Sequence, residues 1–81
     1  MTPAEFEFKF TIAYNIFKAR HGEPVYLSVS TDRKNELLAN QTFYRDHSGY
    51  VKYKDLTVSW SSELGDNIEL SPHDFKNRMT F

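Results

Sequence analysis

The chain has 81 residues, of which 40% are hydrophobic and 16% aromatic, and it contains no cysteine. This length has room for one hydrophobic core, so we predict a single compact domain over residues 1–81. The lack of cysteine excludes disulfides, thiolate zinc sites and cysteine nucleophiles, whereas the net charge of -1 excludes neither a nucleic-acid nor a protein partner. Because we find neither a signal-peptide pattern nor a run of about 18 apolar residues, we expect a cytoplasmic protein with no membrane partner.

The longest apolar stretch runs from Thr2 to Gly22, and its two ends predict a helix. Thr2 and Glu5 have the spacing of a capping box, and Pro3 occupies the first helical position between them. At the other end Gly22 can adopt the left-handed conformation that closes helices. We therefore expect this stretch to supply most of the core.

The interior of the same stretch contains a competing pattern. From Glu5 to Ile12 polar and apolar residues alternate strictly, which is typical of a half-buried strand. On a helical wheel, one broad face instead collects Phe6, Phe10, Ala13, Ile16 and Phe17. We predict one helix of about five turns, with Phe10 buried and Phe8 partly exposed. The alternative is a strand through Ile12 followed by a short helix.

The middle of the chain predicts a strand and a short helix. Val25, Leu27 and Val29 alternate with polar residues, so they form the apolar side of a strand that covers the first helix. Thr31 or Asp32 can then cap a helix that runs to about residue 40.

The second half of the chain predicts short strands and a closing helix. Alternation and turn residues place the strands at residues 42–45, 50–54, 56–61 and 68–70. Ser71 and Pro72 repeat the cap-and-proline pattern of the N-terminus, so a short C-terminal helix carrying Phe75 and Met79 is expected. This order predicts an α+β domain, in which the N-terminal helix packs on a small antiparallel sheet of four or five short strands, with a short second helix and a short C-terminal helix.

The hairpin over residues 43–54 is a candidate nucleic-acid surface. If Arg45 pairs with Tyr50, one face collects Phe43, Arg45, Tyr50, Lys52 and Lys54. Cations contact phosphates while aromatic rings stack on unpaired bases, so this face suits RNA or single-stranded DNA. If Phe43 pairs with Tyr53 instead, Phe43 enters the core and a solvated lysine face remains.

The following segment is a candidate protein-binding surface. Residues 33–54 contain five basic and two acidic residues, a net +3, whereas residues 55–74 contain five acidic residues and no Lys or Arg. The acidic segment also carries large apolar side chains, and acidic rims around apolar patches dock basic protein surfaces. The predicted contact residues are Trp60, Glu63, Leu64, Asp66 and Glu69.

The three histidines do not form a recognisable metal or catalytic motif. His21, His47 and His73 are far apart in the sequence and lack the four-residue spacing of a ligand pair. We therefore expect no metal, no cofactor and no enzymatic activity. The enzymatic alternative is a nuclease with His47 or His21 as general base and Arg45 or Lys52 stabilising the developing charge.

With no motif for chemistry, the surface is the expected working part of the molecule. We predict a small non-enzymatic interaction protein, a regulator or inhibitor that covers the surface of a protein partner, as accessory proteins of viruses and mobile elements often do. The alternative is an RNA-binding or single-strand-binding module that uses the hairpin 43–54. The exposed aromatics also offer a homodimer contact, through an edge strand or through the first helix.

Overall fold

A computed structural model describes residues 2–39, 42–74 and 76–81. The helices are α1 (Pro3–His21) and α2 (Lys34–Leu38), and a 3₁₀ turn (Thr31–Arg33) precedes α2. The strands are β1 (Tyr26–Ser30), β2 (Phe43–Arg45), β3 (Val51–Tyr53), β4 (Leu56–Ser61), β5 (Glu69–Ser71) and β6 (Met79–Thr80). No helix in the described part of the chain is long and apolar enough to cross a membrane.

The helix prediction for the N-terminus is confirmed at both ends. The Thr2 hydroxyl accepts from the backbone N–H of Glu5 at 3.1 Å, and the Glu5 carboxylate accepts from the backbone N–H of Thr2 at 3.4 Å. Gly22 ends α1 as predicted, with φ 82° and ψ -160°. The positive φ favours glycine, but ψ differs from that of the left-handed helical conformation that the sequence predicted. Because these capping contacts join residues three apart, the local sequence was sufficient to specify them.

The burial of side chains along α1 confirms that Phe10 is a core residue and corrects the prediction that Ile16 is buried. Phe10 is 3% exposed and Phe8 is 71% exposed. Ile16, which the helical wheel placed on the buried face, is 39% exposed. The inward side is narrower than predicted and consists of Phe6, Phe10, Ala13 and Phe17.

The sheet differs from the prediction in strand number and direction. Within the described residues it has six strands in the order β2-β3-β4-β1-β5-β6, and β1 pairs with β4 in parallel. The remaining pairs are antiparallel. The expected antiparallel sheet of four or five strands is therefore wrong, because alternation shows which side of a strand is apolar but not which strand lies beside it.

The predicted C-terminal helix is also wrong. The chain turns after Ser71 and returns as β6, which places Met79 opposite Leu70. Ile68 and Phe81 exchange two backbone hydrogen bonds, of 2.9 and 2.7 Å. A short isolated helix is only marginally stable in water. Strand β6 instead pairs with the edge of β5, and Met79 and Phe81 pack on the core.

Two smaller predictions around β1 need correction. Val25 is 37% exposed and precedes β1, so Leu27 and Val29 form the apolar side of the strand without it. The hydroxyl of Ser30, rather than Thr31 or Asp32, caps the turn before α2. The predicted helix end at residue 40 and Phe75 lie outside the described residues.

The core lies between α1, α2 and one face of the sheet. It contains Phe6, Phe10, Ala13, Phe17, Leu27, Val29, Leu37, Phe43, Val51, Tyr53, Leu56, Val58, Ile68 and Leu70. The Tyr53 ring is its aromatic centre, at 4.9 Å from the Phe10 ring, 5.3 Å from the Phe6 ring and 4.5 Å from the Phe43 ring. Burial raises the pKa of Tyr53 to about 12, because the phenolate would lose its hydration there.

Candidate functional site

The outward side of α1 is a second apolar face. Phe8, Ile12 and Ile16 are 71%, 47% and 39% exposed. Residues four apart lie nearly above one another on a helix, so the three side chains form one stripe along α1. At 100° per residue the centre of this stripe is about 130° from the centre of the buried side. We call Phe8, Ile12 and Ile16 the α1 stripe.

One edge of the stripe is bordered by small or uncharged residues. Ala4, Asn15 and Ala19 project into the same sector of the helix and are exposed. The charged residues Glu5, Lys9 and Arg20 lie along the other edge, and the Glu5 carboxylate accepts from the backbone N–H of Thr2 at the helix cap. The stripe thus offers a continuous apolar strip rather than isolated surface side chains.

Charged residues on the other sides of α1 make contacts within the chain. Glu7 pairs with Lys54 at 3.2 Å, and the Lys9 ammonium donates to the Asp66 carbonyl at 2.7 Å. Near the C-terminal end, Lys18 pairs with Glu23 at 2.9 Å.

Glu23 links this ion pair to Tyr14, a half-buried tyrosine that packs against the core. Its carboxylate accepts from the Tyr14 hydroxyl and from Lys18. The hydrogen bond from Tyr14 is the main cause that lowers the pKa of Glu23, and Lys18 adds to it. The same bond raises the pKa of Tyr14. These groups remain charged or hydrogen-bonded near neutral pH, on the side of α1 away from the stripe.

The sheet face away from α1 is polar and partly aromatic. Its residues are Tyr44, Lys52, Thr57, Ser59, Tyr26, Ser28, Ser71, Glu69 and Thr80. A concavity of about 500 Å³ on this face is lined by Tyr26, Tyr50, Lys52 and hydroxyls of β4. The Lys52 ammonium donates to the Thr57 hydroxyl at 2.7 Å, so its charge is held over the concavity.

The structure divides the predicted nucleic-acid residues between two faces. Phe43 pairs with Tyr53 and is 5% exposed, so the register that exposed Phe43 is wrong. Lys54 lies on the α1 side, with its ammonium over the rings of Phe10 and Tyr53 at 5.8 and 5.7 Å. The Arg45 guanidinium donates to the Gly49 carbonyl at 3.1 Å.

Tyr50 and Lys52 line the outer concavity together. Tyr44, opposite Lys52 in the register, is 45% exposed on the same face and was not predicted. Burial is the largest cause that raises the pKa of Tyr44, and Asp55 adds to it through its charge and a hydrogen bond. The alternation of β2 around Phe43 could have identified Tyr44 once the register was known.

The predicted acidic surface does not form one patch. Trp60 pairs with the buried Val29 on the helix side of the sheet, and the Lys34 ammonium lies 5.8 Å from its ring. Glu69 pairs with Ser28 on the opposite face.

The other predicted acidic-surface residues lie in the connection between β4 and β5. Asp66 pairs with Arg33, Glu63 is exposed, and Leu64 is half-buried. The five predicted residues are close in the sequence, but the sheet places them on different faces, because adjacent residues of a strand point to opposite faces. Whether any of them contacts a protein stays a prediction.

The histidines are also separated. His21 ends α1 with its ring 5.2 Å from that of Phe17, His47 lies in the turn between β2 and β3, and His73 follows β5. Among the described residues, no group of three or more His, Asp or Glu side chains is placed to hold a metal ion.

Comparison with known proteins yields no relative for this chain. No family model, curated protein or solved structure matches it. The candidate sites therefore rest on the geometry of the molecule.

Proposed function

We propose that the chain is a small interaction protein, a regulator or inhibitor, that binds a protein partner through the α1 stripe. The observation that supports this proposal is the exposure of Phe8, Ile12 and Ile16 along one side of a helix whose other side is the core. The core requires only the inward side of α1. Large apolar side chains aligned on the outward side expose surface to water without serving the fold, and such patches typically bind other proteins.

The stripe also has the form that helix-binding surfaces use. Residues at i, i+4 and i+8 present anchors along one line, which matches the groove or helix of a partner. The Phe8 ring is the most exposed of the three side chains, and buried aromatic anchors contribute strongly to interface affinity.

Charge reversal at the centre of the stripe tests this proposal. Ile12→Asp places a carboxylate among the apolar anchors, whereas Thr11→Asp adds the same charge in the same helical turn about 100° away from Ile12. Both variants serve as tagged baits in nuclease-treated extracts of cells that produce the protein naturally. We expect Ile12→Asp to lose proteins that the parent chain and Thr11→Asp both retain. Equal recovery by all three baits would contradict the proposal.

A second candidate function, binding of RNA or single-stranded DNA, is favoured by the concavity on the outer sheet face. Tyr26 and Tyr50 offer rings for base stacking and Lys52 offers a charge for phosphate. Fluorescence anisotropy with a short RNA at two salt concentrations is the measurement. Lys52→Ala should weaken binding, whereas Lys54→Ala removes the same charge on the helix side and should change affinity little. Equal loss in both variants would indicate non-specific attraction instead.

A further inference from the structure

We propose that the outer concavity binds one nucleoside monophosphate unit, with the phosphate at the Lys52 ammonium and the base against the Tyr50 ring. This inference rests on the second candidate function, nucleic-acid binding at the same concavity, and names the chemical unit that the site recognises. It follows from three features of the outer sheet face: the end of a strand pairing, the spacing of the groups that line the concavity, and the charge there.

The concavity lies where the pairing between β3 and β4 ends. The last pair of their register joins Lys52 to Thr57. Strand β4 continues through residues 58–61, where its partner among the described strands is β1. Val58 keeps its side chain in the core but lines the concavity, so its backbone forms part of the floor. A carbonyl oxygen has two lone pairs and the Ser59 hydroxyl is exposed, so the floor offers hydrogen-bonding groups to the polar edge of a base.

The groups that line one side of the concavity have the spacing of a nucleotide. Tyr50 and Lys52 both line it and are two residues apart at the start of β3, so they lie roughly 7 Å apart along the chain. In a nucleoside monophosphate the ribose separates the phosphate from the base by a similar distance. An aromatic carboxylate carries its charge directly on the ring, so it does not span the two side chains.

Tyr26 bounds the opposite side of the concavity. It lies on β1 and pairs with Thr57, whose other neighbour is Lys52. The row of three residues crosses three adjacent strands, a distance of about 10 Å. With a volume of about 500 Å³, the concavity has the size of a site for a small ligand. It therefore suits one nucleotide rather than a duplex or a folded partner.

The charge of the concavity favours an anion. Among the described residues that line it, Lys52 is the one that carries a charge. Its ammonium donates to the Thr57 hydroxyl at 2.7 Å. An ammonium has three N–H donors, so a phosphate oxygen can accept from another of them. The carboxylates of Asp46 and Asp55, on the same hairpin, already accept hydrogen bonds within the chain.

Titrations with small molecules test the proposed unit directly. The probes are adenosine monophosphate, adenosine and inorganic phosphate, each added to the isotope-labelled chain and followed by amide chemical shifts. We expect the monophosphate to shift the resonances of residues 50–52 and 57–59 but not those of the α1 stripe. It should bind at least about tenfold more tightly than either adenosine or phosphate. Equal affinity for one of these fragments alone would overturn the proposal, as would a monophosphate that shifts no resonance at the concavity.

Substitutions at the two contact residues separate the base from the phosphate. Tyr50→Ala should weaken the binding of the monophosphate about tenfold, and Tyr50→Phe, which retains the ring, should recover most of that loss. Lys52→Ala should abolish the preference for the monophosphate over adenosine. Lys54→Ala is the matched control, because it removes the same charge on the α1 side of the sheet. If Lys52→Ala keeps the preference for the monophosphate, the phosphate lies elsewhere and the proposal is overturned.

A short oligoadenylate distinguishes the two sources of the unit. Binding that is about tenfold tighter than that of the monophosphate identifies a single strand, whereas equal or weaker binding identifies the free nucleotide. Either result supports the proposal, provided that Tyr50→Ala and Lys52→Ala both weaken the binding.

The outcomes also separate this inference from the candidate function on which it rests. RNA binding that persists in Tyr50→Ala and Lys52→Ala, without any binding of the monophosphate, would overturn the inference and place nucleic-acid binding on another surface. Binding of the monophosphate without binding of RNA would support the inference and remove the candidate function. The absence of both would overturn both.

Discussion

Two phenylalanines of α1, two residues apart, provide the sharpest test of the fold. Phe10 is 3% exposed, and its ring lies 4.9 Å from the Tyr53 ring at an interplanar angle of 84°. Phe8 is 71% exposed on the outward side. The same substitution, Phe→Ala, at both positions changes helix propensity equally, so any difference between the variants reports burial.

The expected magnitudes follow from the buried areas. A buried phenylalanine ring removes about 200 Å² from water, which at about 25 cal/mol per Å² corresponds to about 5 kcal/mol. Alanine recovers roughly 0.5 kcal/mol of helix propensity, so Phe10→Ala should lower the free energy of unfolding by about 4.5 kcal/mol, within the range for core phenylalanines. With under a third of its surface buried, Phe8→Ala should lower it by about 1 kcal/mol or less.

Urea denaturation followed by far-UV circular dichroism measures both values. The measurements belong at dilutions where the chain is monomeric, since association through Phe8 would otherwise add to its apparent contribution. Equal losses for the two variants would refute the reasoning, because they would place both rings on the same side, as in the strand alternative.

Three further predictions concern the helix ends and the core tyrosine. Thr2→Ala removes the hydroxyl that accepts from Glu5 and should cost about 1 kcal/mol in urea denaturation, whereas Thr2→Ser retains the cap. Gly22→Ala forces a side chain into the conformation at φ 82° and ψ -160° and should cost about 1 to 3 kcal/mol; an unchanged midpoint would contradict the cap. Because burial raises the pKa of Tyr53 to about 12, the unfolded chain loses this proton first, so stability should fall as the pH rises from about 10 to about 12. Tyr53→Phe should make that fall shallower.

The hairpin between β2 and β3 shows where local sequence stops being sufficient. Its turn was predicted from the residues at 46–49, but the register depends on how many residues the loop contains. Asp46 and Tyr50 are paired across the loop, because the Asp46 backbone N–H donates to the Tyr50 carbonyl. The Asp46 carboxylate also accepts from the backbone N–H groups of Ser48 and Tyr50. This leaves a loop of three residues and pairs Phe43 with Tyr53, whereas the rejected register needs four.

The α1 stripe shows a second limit, in how an apolar pattern is interpreted. The alternation from Glu5 to Ile12 resembled a strand because Phe6 and Phe10 face the core while Phe8 and Ile12 face outward. Both sets follow helical spacing, so the competing pattern arose from two apolar sides of one helix. Periodicity predicts which residues share a side. It does not predict whether that side meets the sheet of the same chain or another molecule.

The sequence by itself determined the structure that depends on near neighbours in the chain. The caps of α1, the turn at Asp46 and the two-residue alternation of β1 and β4 all arise from hydrogen bonds or side-chain directions within a few residues. Only the tertiary structure decided which distant segments meet. The parallel pairing of β1 with β4, and the return of the C-terminus onto β5, depend on which arrangement buries the most apolar surface and pairs the most backbone groups.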